Sequence, residues 1–182
     1  MFLFLGLGNL GSEYEGTRHN FGRYIVERLA RDQKGLEHKK IKSADYFYNN
    51  DYALGWPLTY MNVSGIATKK LLELLKLKAD HLIVLHDDLD LPLGKIKFSF
   101  GRSSGGHKGV QSIIDCLETK DFLRIRLGIG RSTNQDEKDY VLEKFNVNEN
   151  ENTAVEKVYS QVVEAMTFLL QNGSDKTMSQ YN

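Results

Sequence analysis

This chain is short of cysteine, proline, net charge and long apolar runs, and each shortage excludes something. One cysteine, Cys116, among 182 residues rules out a disulfide framework and a Cys-rich zinc site. Two prolines and 41% hydrophobic residues do not describe a disordered chain or a Pro-rich linker. No apolar run approaches the ~20 residues of a membrane span. The apolar start Met1 to Leu5 stops at Gly6 and lacks a basic lead-in, so it does not read as a signal peptide. The expected setting is therefore the cytoplasm, where the sequon Asn62-Val63-Ser64 carries no meaning. Lys plus Arg equals Asp plus Glu at 24 each, and a net charge of zero argues at first against a nucleic-acid partner.

That zero conceals a gradient. Residues 1–94 are balanced, residues 95–131 carry eight basic and three acidic side chains, and residues 132–182 carry four and nine. The middle stretch is thus net +5 and the last stretch net −5. This can be ordinary solvated surface, or a basic face balanced by an acidic C-terminal region.

Periodicity gives a coarse architecture. Phe2–Leu7 reads as a buried strand, 8–17 as a Gly-rich loop, and about 21–31 as a helix. The stretch 45–58 reads as a hairpin or two strands around Asn49-Asn50-Asp51. A helix is expected over 63–77, with Asn62 as N-cap and Ile66, Leu71, Leu74 and Leu75 toward the core. A short strand, Leu82–Leu85, runs into His86-Asp87-Asp88. Lys95–Phe100 alternates basic or polar with apolar, which is a strand with one wet face. A Gly/Ser-rich loop at 101–109, a helix to about Leu117, a second alternating strand at 124–129, a helix over 149–171 and a frayed tail complete the chain. The expected fold is one α/β domain over 1–182, a mixed, mostly parallel sheet with helices on both faces.

Three local patterns invite misreading. Gly6-Leu7-Gly8-Asn9-Leu10-Gly11 is a literal G-x-G-x-x-G after a strand, but no helix opens at its third glycine, and Asp32 ends a helical stretch rather than a second strand. A nucleotide-binding oxidoreductase rests on that pattern alone. Gly101-Arg102-Ser103-Ser104-Gly105 is a literal G-x-S-x-G, yet the hydrolase order Ser, acid, His needs a histidine later in the chain, and the last of the five is His107. His86-Asp87-Asp88-Leu89-Asp90 reads as a polar turn in preference to a metal cluster.

Polar side chains at element ends remain: Asn9, His19, Asn20, Asn62, Asp87 and His107. Sites in open α/β sheets collect at the carboxyl ends of strands. A histidine with an acid for its second nitrogen and amides nearby makes a general-base constellation.

These residues fall within motifs that run the length of the chain. They are Gly6-Leu7-Gly8-Asn9, Tyr14, Thr17-Arg18-His19-Asn20-Phe21-Gly22, Thr59-Tyr60-Met61-Asn62-Val63-Ser64-Gly65, His86-Asp87-Asp88-Leu89-Asp90-Leu91-Pro92, Gly105-Gly106-His107-Lys108-Gly109 and Arg124-Ile125-Arg126-Leu127-Gly128-Ile129-Gly130. In order and spacing the chain resembles the bacterial peptidyl-tRNA hydrolases. The resemblance implies that family's phosphorylase/hydrolase-like fold. It also implies hydrolysis of the ester between a peptide and the 3′-terminal ribose of tRNA, by a cytoplasmic monomer without metal or other cofactor. Such a reaction recycles tRNA from aborted translation.

Carried over motif by motif, His19 is the general base, Asp87 orients it, and Asn9 completes the catalytic set while helping to tell blocked from free aminoacyl ends. Tyr14, Tyr60, Met61, Asn62, His107 and Lys108 contact the substrate or its tRNA acceptor end. Lys97, Arg102 and Arg126 hold phosphate, with Lys95 and Arg131 as further candidates. Arg124 reads more readily as structural. In the family Pro is common where Leu10 stands, Asn is usual where Lys108 stands, and many relatives have Lys where Ser99 stands. A family helix and loop border the cleft, a part the segment 149–171 could take. The competing reading is a catalytically silent tRNA- or RNA-binding relative.

Overall fold

The computed structural model describes residues 1–145 and 149–181. Its strands are β1 (Phe2–Gly6), β2 (Glu37–Ile41), β3 (Ala44–Tyr48), β4 (Tyr52–Pro57), β5 (Leu82–Asp88), β6 (Ile96–Phe100) and β7 (Leu123–Gly128). Its helices are α1 (Phe21–Asp32), α2 (Ser64–Leu75), α3 (Lys108–Leu117), α4 (Glu137–Leu142), α5 (Glu149–Asn172) and α6 (Ser174–Tyr181). The strands form one sheet in the order β2-β3-β4-β1-β5-β7-β6. The central four are mutually parallel, and β2, β3 and β6 extend the sheet by antiparallel pairing.

Alternation along β1 explains the layers. Phe4 faces a core built with Phe21, Ile25 and Leu29 of α1 and Val158, Val162 and Leu169 of α5. Leu3 and Leu5 face the other, built with Leu71 of α2 and Val110 and Ile113 of α3. With both faces covered, the central strands read as near-continuous apolar runs. The mixed, mostly parallel sheet flanked by helices is thus the one expected.

Several local expectations are corrected. Asn62 does not cap α2: it lies in a short 3-10 turn (Met61–Val63), and the first-turn Gly65 N–H is accepted instead by Ser112 Oγ of α3 at 3.0 Å. The buried side of α2 is Ser64, Gly65, Ala67, Thr68, Leu71 and Leu72, so Ile66 and Leu74 point to solvent. The reason is close packing of α2 on α3: a Cβ at Gly65 would overlap the Ser112 carbonyl, and small residues must therefore occupy the contact. β2 was not anticipated, because its sequence Glu-His-Lys-Lys-Ile is charged, as befits an edge strand guarded against further pairing. The tail is not frayed. α6 packs against β6, with Tyr181 against Phe98 at 5.7 Å between ring centres and Thr177 buried.

Candidate active site

The carboxyl ends of the parallel strands open into a cleft of about 1250 Å³. All twelve residues singled out above as catalytic, substrate-contacting or phosphate-holding line it.

Asp87, near the end of β5 and 3% exposed, is its centre. Its carboxylate faces His19 Nδ1 at 3.0 and 3.1 Å and His107 Nε2 at 2.9 Å. The tautomers follow from the remaining bonds. His107 Nδ1 accepts from the backbone N–H groups of Gly109 and Val110, capping α3, so its proton sits on Nε2 and is donated to Asp87. Ionised Asp87 can only accept, so His19 donates from Nδ1, and its neutral form carries the lone pair on Nε2. Burial alone would lift the Asp87 carboxyl, but the two imidazoles hold it well below the usual carboxylate range. Burial pulls the His19 imidazole down. The charge and hydrogen bond of Asp87 outweigh that, Lys108 opposes them, and the result lies above the ordinary 6.5.

Backbone packing makes this meeting possible. His19 sits in a 3-10 turn (Arg18–Asn20) leading into α1. α1 lies so close to the sheet that a Cβ at Gly22 would overlap the Leu85 carbonyl. Arg18 is buried, bonded to Glu151 at 2.9 Å and held over the rings of Tyr140 and Phe145. The same turn is tied to the segment after α4 by Arg18 N–H to Glu143 O and Phe145 N–H to Gly16 O.

Asn9 is fixed as firmly. Its N–H and C=O are both bonded by the Asn20 amide, and its Oδ1 accepts the Met61 N–H at 2.8 Å. Its Nδ2 is left as an uncharged donor on the cleft. Leu10, where Pro is common in the family, donates its backbone N–H to Thr59 O at 3.1 Å, a tie that proline lacks the hydrogen to make. Met61 is 3% exposed and serves through its backbone and its packing. Tyr60 and Asn62 are exposed on the rim and Tyr14 is half-buried.

The opposite wall is basic. The β6–β7 ladder sets Lys97 opposite Arg126 and Ser99 opposite Arg124. Arg126 Nε pairs with Asp88 at 2.5 Å. Arg124 is 3% exposed and gives one N–H to Ser103 O at 2.8 Å. Its Nε and Nη2, like Ser99 Oγ, are buried without a partner among the described residues. Burial, then the charges of Arg126 and Arg102, push Arg124 below its usual value. Arg124 thus borders the cleft with its two unpartnered nitrogens buried, and alternation on a strand does not reveal such missing partners. Arg131 is engaged by Asp90 and Glu137, and Lys95 lies outside the cleft lining.

The run His86–Asp90 divides among separate partners. Asp87 takes the two imidazoles, Asp88 takes Arg126 and Asp90 takes Arg131. His86 is buried, donates from Nδ1 to the Asp87 carbonyl at 2.7 Å, and is pushed by burial down to about 3, hence neutral. Ligand atoms of His19, Asp87 and His107 lie within 4.8 Å of one another, a spacing a metal could use. They already satisfy one another through two N–H···O bonds, and a metal would have to displace both protons. The Gly6–Gly11 stretch leads into a 3-10 turn (Ser12–Tyr14), well before α1. The cleft border from the acidic region comes from α4 and Met178 of α6, and not from 149–171. No helix among the described residues is long and apolar enough to cross a membrane.

Comparison with known proteins adds the following. The family model described as peptidyl-tRNA hydrolase matches residues 3–182. The chain is 45% identical over 190 residues to a peptidyl-tRNA hydrolase of Thermodesulfovibrio yellowstonii, covering all of this chain and 99% of that protein. It is 41% identical over 186 residues to one of Carboxydothermus hydrogenoformans, covering all of this chain and 98% of that protein. The crystal structure of peptidyl-tRNA hydrolase from Acinetobacter baumannii superposes with a TM-score of 0.89 at 31% identity, covering all of this chain and 94% of that one.

Proposed function

The chain belongs to the peptidyl-tRNA hydrolase family, and from that premise we propose that it hydrolyses the ester between a peptide and the 3′-terminal ribose of tRNA, with His19 as general base. The observation that carries the mechanism is the contact of His19 Nδ1 with the buried Asp87 carboxylate at 3.0 and 3.1 Å. In the neutral imidazole Nδ1–H donates to Asp87, which leaves Nε2 the lone pair a base needs.

Water placed at Nε2 gives up a proton as its oxygen adds to the ester carbonyl carbon. The carbonyl pair moves to oxygen, and the tetrahedral oxyanion accepts from Asn9 Nδ2. Asp87 stabilises the imidazolium so formed. The intermediate collapses, the bond to the ribose 3′ oxygen breaks, and His19 returns its proton to that oxygen. A peptide carboxylic acid and a free 3′ hydroxyl result. An ester is reactive enough for one base and a positioned donor to suffice without an acyl-enzyme.

Asn62 and Tyr60 on the rim contact the acceptor end, with Tyr14 beside them. Phosphates lie along Lys97, Arg102, Arg124 and Arg126. The pairing of cations across β6 and β7 is disfavoured in itself and is relieved when an anion arrives. Reaction of a single soluble copy in the cytoplasm, with no metal, fits this scheme.

The direct test is turnover of an N-acylated or peptidyl-tRNA beside the same tRNA carrying a free amino acid. Release of tRNA from the first and not the second is expected. Binding of both without turnover would replace this reading with that of a silent RNA-binding relative.

A further inference from the structure

We propose that Lys108 is the cationic partner of the oxyanion formed at the ester carbon, an electrostatic catalyst acting beside the Asn9 amide. The proposal rests on the hydrolase reading above and assigns one charge within that site.

Lys108 is the first residue of α3, directly after His107, and it is exposed on the cleft. A cation at a helix N-terminus is opposed by the helix dipole, and α3 has no acidic side chain in its first turn to offset it. No ion pair to Lys108 occurs among the described residues. The lysine therefore gains nothing from its own helix, and its charge is unspent in the free protein.

The charges of the reaction give it a use. Before attack the centre holds the buried Asp87 carboxylate and a neutral His19. As water adds, His19 gains a positive charge and the carbonyl oxygen a negative one. The net charge of the centre stays at −1, but negative charge now sits on the carbonyl oxygen, apart from Asp87. A cation beside that oxygen favours the charge-separated state over the neutral ester, and Lys108 is the one on the His107 side of the cleft. Lys97, Arg102, Arg124 and Arg126 belong to the β6–β7 wall and its following loop. The field of Lys108 already reaches the reacting group, since it pulls the His19 imidazole downward. The other titratable groups facing His19 are Asp87 from β5 and His107, the residue capping α3, whose ring lies 4.9 Å away. Arg18, its chain neighbour, is turned to Glu151.

The test compares Lys108→Met and Lys108→Arg with the natural protein, using N-acetylated aminoacyl-tRNA, and titrates His19 by NMR in each. Lys108→Met is expected to lower kcat by about 10²-fold, the low end for loss of an oxyanion donor, with KM nearly unchanged. Lys108→Arg is expected to recover most of that loss. The His19 titration is expected to move upward in Lys108→Met, because a repelling charge has gone. A raised KM with kcat intact and a shallower salt dependence would make Lys108 a phosphate contact and overturn the proposal. Unchanged kcat, or an unmoved His19 titration, would also overturn it. The NMR measurement needs no turnover. An upward His19 shift in a protein with no activity on this substrate would thus locate the failure in the hydrolase reading.

Discussion

The two walls of the cleft are built on different principles. Around Asp87 the reacting groups are held by specific bonds: two imidazoles face its carboxylate, an amide has its oxygen spoken for, and a glycine brings α1 against the sheet. Along β6, β7 and the loop after β6 the cations Lys97, Arg102 and Arg124 have few partners among the described residues, and Arg126 pairs with the Asp88 carboxylate. Proton transfer requires an orientation held within hydrogen-bond tolerance, whereas a phosphate requires positive charge within reach. Damage to the first wall should therefore appear in kcat, and damage to the second in affinity and its salt dependence.

The largest effect expected is at His19. His19→Ala should lower kcat on peptidyl-tRNA by ~10²–10⁴-fold, as loss of a general base does, while tRNA affinity in a filter or fluorescence assay stays close to that of the natural protein. Retention of a tenth or more of the rate would remove the base from His19. An intermediate effect is expected at His107. Asparagine is a good N-cap, so His107→Asn should keep α3 folded by circular dichroism while losing the bond to Asp87. A hydrogen bond to a charged group is worth about 1.5–3 kcal/mol, which sets a kcat loss of about 10–100-fold. A fall in Tm with no kinetic effect would make His107 a cap and nothing more. The smallest effect belongs to the other wall. Lys97 is exposed and Arg126 is engaged by Asp88, so Lys97→Ala is the cleaner probe. It should weaken tRNA binding a few-fold and lower the slope of log affinity against log salt by about one, with kcat unchanged. An equal loss in kcat would merge the two walls into one.

Much of the first wall was legible in the sequence, because general-base chemistry restricts residue types. His19, Asp87, Asn9 and His107 each stand at an element end, and their motifs keep order along the whole chain. What periodicity could not reveal was who is paired with whom. Arg18 and Arg124 are both buried, one against Glu151 and two rings, the other giving one N–H to Ser103 O, and nothing in their spacing names those partners. Asn20 reads as a helix opener, yet its amide is spent in holding Asn9. In the fold, the central strands announced themselves through apolar runs. β2 and α6 did not, since an edge strand and a polar terminal helix owe their structure to neighbours far away in sequence.

Between the walls lies the charge gradient that the overall zero concealed. The +5 segment supplies β6, α3, β7 and the phosphate wall, and the −5 segment contributes α4 and α6 to the cleft border. A balanced chain can thus face RNA with one side only.

The central claim is that Asp87 orients His19 through Nδ1 and stabilises the imidazolium that His19 becomes as it acts as base. The pH dependence of kcat/KM in the natural protein and in Asp87→Asn tests it most directly. His19 must be unprotonated to act, and its affinity for a proton is raised by Asp87, so activity should fall on the acid side with a midpoint above 6.5. In Asp87→Asn the raising charge is gone while burial and Lys108 remain. The midpoint should then drop below that value, on a plateau reduced by orders of magnitude. A profile flat from about pH 5 to 8, or the same midpoint in both proteins, would contradict the account.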